Sequence, residues 1–478
     1  MRTRIENQFE PMTSSLGQRS LVRLRTALGT LVALNFAVLW AVPVVVQGQA
    51  YRRGLHRVFR PVHRLLDGSP ALRRFAAKHI YRRPAHVDYF ATAILFAFGF
   101  GLSLGGLFAL QIVTKSLPWY VVIAYYFIWV GPGARFMAAA YTFAHREGHL
   151  PGGRMYRPKI GNRVGNFFEN WIGPWYGTIP YNFSTSHLFL HHRLNGGKGD
   201  PIYVWDIDRT NFWDVMRYQW RVFRYMTGIS SLKEFRCQRG VLRAADRARR
   251  TLIKGMVIYW ILLPAAILTL LTATGSSLFS ALLFLFFIYF QPLCAMSCFL
   301  SLLNLGWHGF LEFDEAGRHV KHVTSGTILD GPDDSYGEDF HVAHHHFPSI
   351  GHDRLTEHVE AERQEWGRCH GSVFENTTIL ELSVLVILGR FDILIGNHYV
   401  DCSQGSLSRD ELVDLFERRA QRKEMSYEEY EFGYLPRLRE SAGELVSSGV
   451  CDSENGAYVY QAHRNLQRNL KVPADQSV

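Results

Sequence analysis

Long uncharged runs separated by charged stretches dominate the hydrophobic pattern of this chain. No Asp, Glu, Lys or Arg occurs between Gly255 and Leu311. A helix needs about 20 apolar residues to cross a bilayer, so this run is long enough for two crossings. Weak helix formers at 272–277 predict a tight turn near the start of its second third. The pattern therefore predicts a transmembrane helical hairpin.

Further uncharged runs lie on both sides of it. Tyr89–Thr114 and Ser116–Ala134 are separated only by Lys115, which predicts a second hairpin. Thr26–Ala50 is too long for the apolar core of a signal peptide, about 7–15 residues, and predicts a retained anchor helix. Thr377–Gly389 is short and predicts an interfacial or buried helix.

The charges between these runs predict the orientation in the membrane. Residues 51–88 contain ten Lys and Arg against Asp67 and Asp88, which is typical of a cytoplasmic segment. Counting crossings from there places residues 141–254 and those after 304 on the same face. The net charge of +10 therefore reflects membrane orientation rather than nucleic-acid binding. Six cysteines without a C-x-x-C pair exclude a zinc ribbon.

Nine of the 21 histidines fall into four clusters, all on the predicted cytoplasmic face. Residues three or four apart share one face of a helix, so each cluster can direct imidazoles at a common centre. Neutral imidazole binds iron, copper and zinc. Nine imidazoles are too many for one metal, since a tetrahedral zinc takes four ligands, and they predict two metals with positions open to oxygen or water. The clusters are His145-x3-His149, His187-x3-His191-His192, Asn304-x3-His308 and His341-x2-His344-His345.

The order of these motifs resembles the membrane-bound fatty acid desaturase and hydroxylase superfamily over about Tyr89–Asp353. The sharpest similarity is Gly337–Pro348, which resembles the third histidine box of acyl-CoA desaturases, with a Phe347-Pro348 ending also seen in sphingolipid desaturases. Asp200-Pro201 is similar to acyl-CoA desaturases as well. The spacings His145-x3-His149 and Asn304-x3-His308 are closer to membrane alkane hydroxylases.

The resemblance implies a di-iron centre bound by the nine histidines, with Asn304 holding a water on one iron. It implies O2 as co-substrate and electrons from NAD(P)H. The chain has no cytochrome b5 haem motif, so we expect an external donor protein of the cytochrome b5 or ferredoxin type. Glu147, Glu338 and Asp339 are candidates to orient imidazole rings, or are simply solvated charges, and His352 is a further candidate beside the centre.

We thus expect an all-α integral membrane bundle of two transmembrane hairpins with a cytoplasmic helical cap that holds the irons. Its parts are an N-terminal anchor (1–50), a basic cytoplasmic loop (51–88), a catalytic domain (89–400) and a polar tail (401–478). The predicted function is desaturation of a lipid acyl chain. Hydroxylation on the same site is one alternative, and a histidine-rich metal transporter is another. The endoplasmic reticulum and a bacterial inner membrane both remain open as locations.

Overall fold

The computed structural model describes residues 15–194, 196–237, 243–315, 319–331, 334–346 and 351–436, and this part of the chain is mostly helical. Four of its helices are long and apolar enough to cross a membrane. A bent pair, Trp119–Val130 with Pro132–His149, meets at 41° and would make a fifth span. The four helices are Leu16–Leu39, Pro84–Thr114, Ala245–Ala273 and Leu278–Trp307.

The N-terminal apolar run forms two helices rather than one. Helix α1 (Leu16–Leu39) begins at a capping box between Ser15 and Gln18, and α2 (Ala41–Ala50) follows after a break at Trp40. The basic stretch expected as a loop is largely helical. Its apolar residues recur at helical spacing, which explains the difference. Its elements are π-helical Tyr51–Leu55, α3 (His56–Asp67), α4 (Pro70–Phe75), π-helical Ala76–Ile80 and 3-10 helical Pro84–Tyr89.

The next two apolar runs form α5 (Phe90–Thr114) and α6 (Trp119–Val130). Lys115 ends α5 in a left-handed conformation with φ of 65°. A 3-10 turn at Pro132–Ala134 separates α6 from α7 (Arg135–His149). Gly131 and Gly133 both have positive φ there, so glycine permits the bend between α6 and α7.

The polar region that follows packs over the ends of the long helices. Helix α10 lies along α1, and a Cβ on Gly29 of α1 would come within 1.8 Å of the Met216 carbonyl oxygen. Only glycine allows this close approach. The elements are α8 (Pro158–Val164), π-helical Phe168–Ile172, 3-10 helical Gly173–Tyr176, π-helical Phe183–His191, α9 (His192–Leu194), α10 (Phe212–Met226) and α11 (Ile229–Cys237).

The longest apolar run forms helical segments on both sides of a turn inside 272–277. This turn lies beside the turn that follows α5. Lys115 Nζ donates to the Thr274 carbonyl oxygen at 2.6 Å, and Gln111 Nε2 donates to Ser276 Oγ at 3.1 Å. The histidines of α7, and His308 after the last helix of this run, lie at the opposite ends of the apolar helices from these two turns. The helices are α12 (Arg243–Val257), π-helical Ile258–Leu262, α13 (Leu263–Ala273), α14 (Leu278–Phe284), π-helical Leu285–Phe290 and α15 (Gln291–Trp307).

The remaining residues add short helices and two short strands. The strands pair in parallel, with Thr327 opposite Val373, so the all-α prediction is wrong in this detail. Both residues are buried, and their peptide groups need partners that water cannot supply. The elements are α16 (Lys321–Thr324), β1 (Thr327–Leu329), α17 (His341–His346), 3-10 helical His352–Arg354, α18 (Leu355–Ala361), α19 (Arg363–Cys369), β2 (Val373–Glu375), α20 (Ile379–Ile387), α21 (Phe391–Asn397), α22 (Arg409–Gln421) and π-helical Glu429–Tyr434.

The polar tail is partly integrated into the fold. Helix α22 starts at a capping box between Ser408 and Glu411. Farther on, Tyr430 stacks on Tyr203 with ring centroids 4.0 Å apart, and its hydroxyl accepts a hydrogen bond from the Gly199 N–H at 3.0 Å. The tail therefore contacts the loop after the second histidine cluster. Residues 437–478 of the predicted tail, and Phe347-Pro348 of the third histidine motif, lie outside the described residues.

Candidate metal centre

Four separate elements bring the nine clustered histidines together in the interior. Their side chains are buried, except for His192, which is partly exposed. His145 and His149 lie one turn apart at the end of α7, and His308 directly follows α15. The π-helical segment 183–191 and α9 carry His187, His191 and His192, and α17 carries His341, His344 and His345.

The first group contains five histidines that could hold one metal ion. His145 Nε2 lies at its centre, 2.7 Å from His187 Nε2 and 3.1 Å from His149 Nε2. His344 Nε2 is also 3.1 Å from both His145 Nε2 and His192 Nε2. The group thus takes members from three of the four predicted clusters.

The second group surrounds a neighbouring point. His191, His308 and His345 offer nitrogen atoms within 4.8 Å of one another. The Nε2 atom of His341 lies 3.0 Å from Nε2 of both His308 and His345. With His341 included, all nine histidines belong to one of two adjacent groups.

These nitrogen positions fit two metal ions. Ligand atoms at right angles around a metal, with bonds of about 2.1 Å, are about 3.0 Å apart, close to the separations found here. Nitrogen lone pairs packed this closely also need a cation between them. Burial lowers the pKa of His187, His192, His341 and His344 well below the usual range, with neighbouring histidines adding to the effect. These imidazoles are therefore neutral, which is the form that binds metals.

A carboxylate orients one histidine in each group. Glu338 Oε2 accepts from His145 Nδ1 at 2.7 Å, and Asp200 Oδ2 accepts from His191 Nδ1 at 2.8 Å. Burial alone would raise the pKa of both carboxyl groups, but their histidine partners, with Arg146 at Glu338, hold it below the usual range. Hydrogen bonds of this kind set the tautomer and the ring direction of a metal ligand.

The residues predicted to orient imidazole rings have different partners in the structure. Glu338 has the expected partner, whereas the Glu147 carboxylate accepts hydrogen bonds from the Tyr156 hydroxyl and the Glu169 N–H. Residues two apart face opposite sides of a helix, so Glu147 points away from His145 and His149. Asp200 was noted in the sequence only for its similarity to acyl-CoA desaturases. The spacing of residues around Asp200 does not indicate that it would form a hydrogen bond with His191.

The other predicted residues lie at the edges of the centre. Asn304 is one turn before His308, and its Nδ2 donates to the Tyr218 hydroxyl. Asp339 lines a larger cavity beside the centre. His352 lies farther away, where its ring nitrogens contact the Tyr89 hydroxyl at 3.0 Å and Asp88 Oδ2 at 3.1 Å.

One cavity adjoins the clustered histidines, and a second lies beside the first. A narrow one lies directly over them, between the second histidine segment, α10 and α15, and is otherwise mainly apolar. A larger one, of about 290 Å³, lies between α7, α15, α20 and the loop that precedes α17. The narrow cavity, of about 20 Å³, has room beside the histidines for a small apolar group such as a pair of methylenes and leaves little space for water.

Comparison with known families agrees with this geometry. The family model described as fatty acid desaturase matches residues 132–376, just over half of the chain, and this range includes all nine histidines. The chain belongs to the fatty acid desaturase family. No curated protein and no solved structure matches the chain. As a fatty acid desaturase family member it is an integral membrane oxidoreductase that acts on lipid, and its histidine groups fit the family's di-iron centre.

Proposed function

We propose that this chain is an oxygen-dependent desaturase that introduces a double bond into a lipid acyl chain at a histidine-bound di-iron centre. The observation that carries the proposal is the pair of buried histidine groups next to an apolar cavity. The five-histidine group would hold one iron, and His191, His308, His341 and His345 the other. Asn304 would hold a water beside the second iron.

In the reaction, the protein would hold the irons and the substrate in place and exclude water from the site. Bound iron supplies, with O2 and electrons, the oxidising power needed to remove hydrogen from an unactivated methylene group. Glu338 and Asp200 keep His145 and His191 in the tautomer that presents Nε2 to the metal. The apolar walls of the narrow cavity would hold one pair of methylene groups beside the centre and keep water out.

The reducing electrons would come from a separate protein. The sequence has no haem motif of a fused cytochrome b5, so the proposed donor is a cytochrome b5 or ferredoxin type protein supplied by NAD(P)H. Such a donor must reach the polar side of the molecule, where the histidines lie.

The membrane arrangement is part of this proposal. We infer that α5 with α6–α7 and α12–α13 with α14–α15 form two transmembrane hairpins, with the metal centre in a cytoplasmic cap. The contact of Lys115 with Thr274 supports this, because it places both turns at the end away from the histidines. The basic segment lies on the histidine side, where the Arg82 N–H donates to the Met155 carbonyl oxygen at 3.1 Å. A positively charged segment on that side fits the cytoplasmic orientation.

The proposed domain boundaries follow the expected ones. Residues 1–50 would be an anchor, 51–88 a basic segment, 89–400 the catalytic domain and 401–478 a tail. Both ends of the anchor contact the histidine side, since Arg25 pairs with Glu431 at 3.0 Å and the Arg135 guanidinium lies over the Tyr51 ring. These contacts support an anchor that enters the bilayer and returns to the same face.

Mass spectrometry of lipids tests the function directly. A host that expresses the chain should gain lipids lacking two hydrogens, and the same host with His344→Ala should not. Iron analysis of the purified chains should give about two irons for the wild type and fewer for the variant. Lipids that instead gain an oxygen would identify a hydroxylase. Accumulation of cellular iron without any lipid change, with the electron donor supplied, would contradict both and favour a metal transporter.

A further inference from the structure

Two side chains form the boundary between the two cavities. Tyr141 and Trp307 line both the narrow cavity over the histidines and the larger one beside it. Both lie close to metal ligands: the ring centroids of Tyr141 and His145 are 5.5 Å apart, and Trp307 stacks on His341 at 4.4 Å and 8°. Any molecule that occupies both cavities must pass between them.

Each of these side chains has an unused hydrogen-bond donor. The Trp307 indole N–H is buried and has no hydrogen-bond partner among the described residues. Tyr141 is 6% exposed, and its hydroxyl makes no hydrogen bond to another described residue. A buried donor without a partner is costly, so the Trp307 N–H, with the Tyr141 hydroxyl in the lining of the same cavities, is suited to an acceptor that arrives with a ligand.

The rings that carry these donors are held in place. Trp307 is fixed by its stacking on His341. Tyr141 packs edge-on against Phe183 at 5.5 Å and against Phe299 at 6.3 Å. Preorganised donors bind an acceptor without first losing side-chain freedom, which favours recognition of a specific atom.

The larger cavity provides a place for a polar group. One part of its wall is apolar, while the other carries hydroxyl groups and charges. Glu338 is paired with Arg146 and His145, and the lining also contains two further carboxylic acids, Asp334 and Asp339, and one arginine, Arg135. A free fatty-acid carboxylate or a phosphate placed here would meet more negative than positive charge.

We propose that Tyr141 and Trp307 bind the carbonyl oxygen that joins the acyl chain of the substrate to its polar headgroup. A carbonyl oxygen has two lone pairs and no net charge, which matches two neutral donors. The headgroup would then occupy the larger cavity of about 290 Å³, and the narrow space over the histidines, of about 20 Å³, would receive only the methylene groups that react. This inference rests on the proposed function and makes the two residues determinants of where the chain is attacked.

The position of the pair predicts the position of the double bond. An extended carbon chain advances about 1.2 Å per bond, and the donor-bearing rings lie directly beside ligand rings. The reacting methylene pair should therefore lie within roughly six bonds of the carbonyl carbon. An enzyme that instead attacks the middle of a long chain would need the carbonyl much farther from the metals.

The test combines product analysis with two donor deletions. Trp307→Phe and Tyr141→Phe each remove a donor but keep a ring in place. The controls are Trp40→Phe and Tyr259→Phe, because both residues are fully buried, have donors without partners among the described residues and line neither cavity. The wild-type product found by lipid mass spectrometry serves as the substrate class for kinetics in proteoliposomes with a supplied donor protein.

We expect each donor deletion to raise KM about five- to tenfold and to produce a second positional isomer, with iron content unchanged. The controls should keep the wild-type KM and a single isomer. A wild-type double bond more than about ten bonds from the carbonyl would overturn the inference, and so would unchanged KM and isomer pattern in both donor deletions. Absence of any wild-type product would instead refute the proposed function on which the inference rests.

Discussion

The carboxylate of Glu338 connects two histidine clusters that are far apart in the sequence. Its Oε2 accepts from His145 Nδ1 at 2.7 Å, and its Oε1 lies 2.9 Å from Arg146 Nε. Glu338 precedes α17, whereas His145 lies in α7, so one hydrogen bond joins the first cluster to the fourth. Asp200 has the corresponding position for His191 in the other group.

Loss of the Glu338 carboxylate should weaken metal binding. We expect Glu338→Gln to lower iron affinity about 10- to 100-fold, because His145 loses the partner that fixes its tautomer and ring direction. Titration of the purified protein with Fe²⁺ measures this. Glu147→Gln is the control, since that carboxylate contacts Tyr156 and Glu169 rather than an imidazole. Equal losses of iron affinity in the two variants would contradict the assigned roles.

The spacing between the first two histidine segments depends on Gly148. A Cβ at this position would lie 2.4 Å from Phe183 Cβ and 2.9 Å from the Phe183 carbonyl carbon. Gly148→Ala should therefore push α7 away from the second histidine segment and cost about 1–3 kcal/mol of stability, with loss of bound iron. Gly105→Ala, where a Cβ meets open space, is the matched control and should change neither thermal stability nor iron content.

A chain of buried charges joins the N-terminal anchor to the tail. Arg221 binds Asp206 through both terminal nitrogens at 2.7 Å and pairs with Glu431 at 2.8 Å, and Glu431 also pairs with Arg25. Removing the Glu431 carboxylate leaves Arg25 without its acidic partner and Arg221 with Asp206 alone, so Glu431→Gln should cost about 3–5 kcal/mol. Thermal unfolding in detergent should show a clear decrease in Tm.

An exposed ion pair provides the comparison for this charge chain. Glu360 pairs with Arg363 at 3.0 Å on the surface. Solvent screens such pairs, so Glu360→Gln should leave Tm nearly unchanged. Equal changes in Tm for the two variants would show that the Glu431 pairs are also solvated.

Stability should depend on pH through Glu169. Burial raises the pKa of this carboxyl group from 4.5 to about 7, despite hydrogen bonds from Ser184 and Asn166. The folded state therefore retains a proton that the unfolded state has released. The stability that Glu169 contributes is full below pH 4.5 and is lost as the pH rises through about 7.

Glu169→Gln removes this titration. We expect the wild-type Tm to fall between pH 5 and pH 7.5, with a loss of unfolding free energy on the order of 1–3 kcal/mol. The Tm of the variant should change less over the same range. Parallel profiles for both proteins would mean that Glu169 is already ionised when folded. Glu381→Gln, a change at an exposed carboxylate, should leave the wild-type profile intact.

Much of the architecture follows from local patterns. Uncharged runs predicted α5, α13, α14 and α15, because burial of about 20 apolar residues needs no information about distant parts of the chain. The Ser408-x-x-Glu411 pattern at the start of α22 is likewise a local signal. The break at Trp40 and the bend after Gly131 were not predicted, since an apolar run alone does not show where a helix changes direction.

The candidate site was also predictable from the sequence only in part. Spacings of three and four residues determined that each histidine cluster could present its imidazoles together, and their number indicated two metals. Only the tertiary structure decided which histidines form each group, because His145 meets His187 and His344 through packing between distant elements. It also decided that Glu338 and Asp200 form hydrogen bonds to imidazoles, whereas Glu147 does not. Local periodicity determines which side chains share a face, whereas contacts between elements depend on how those faces pack.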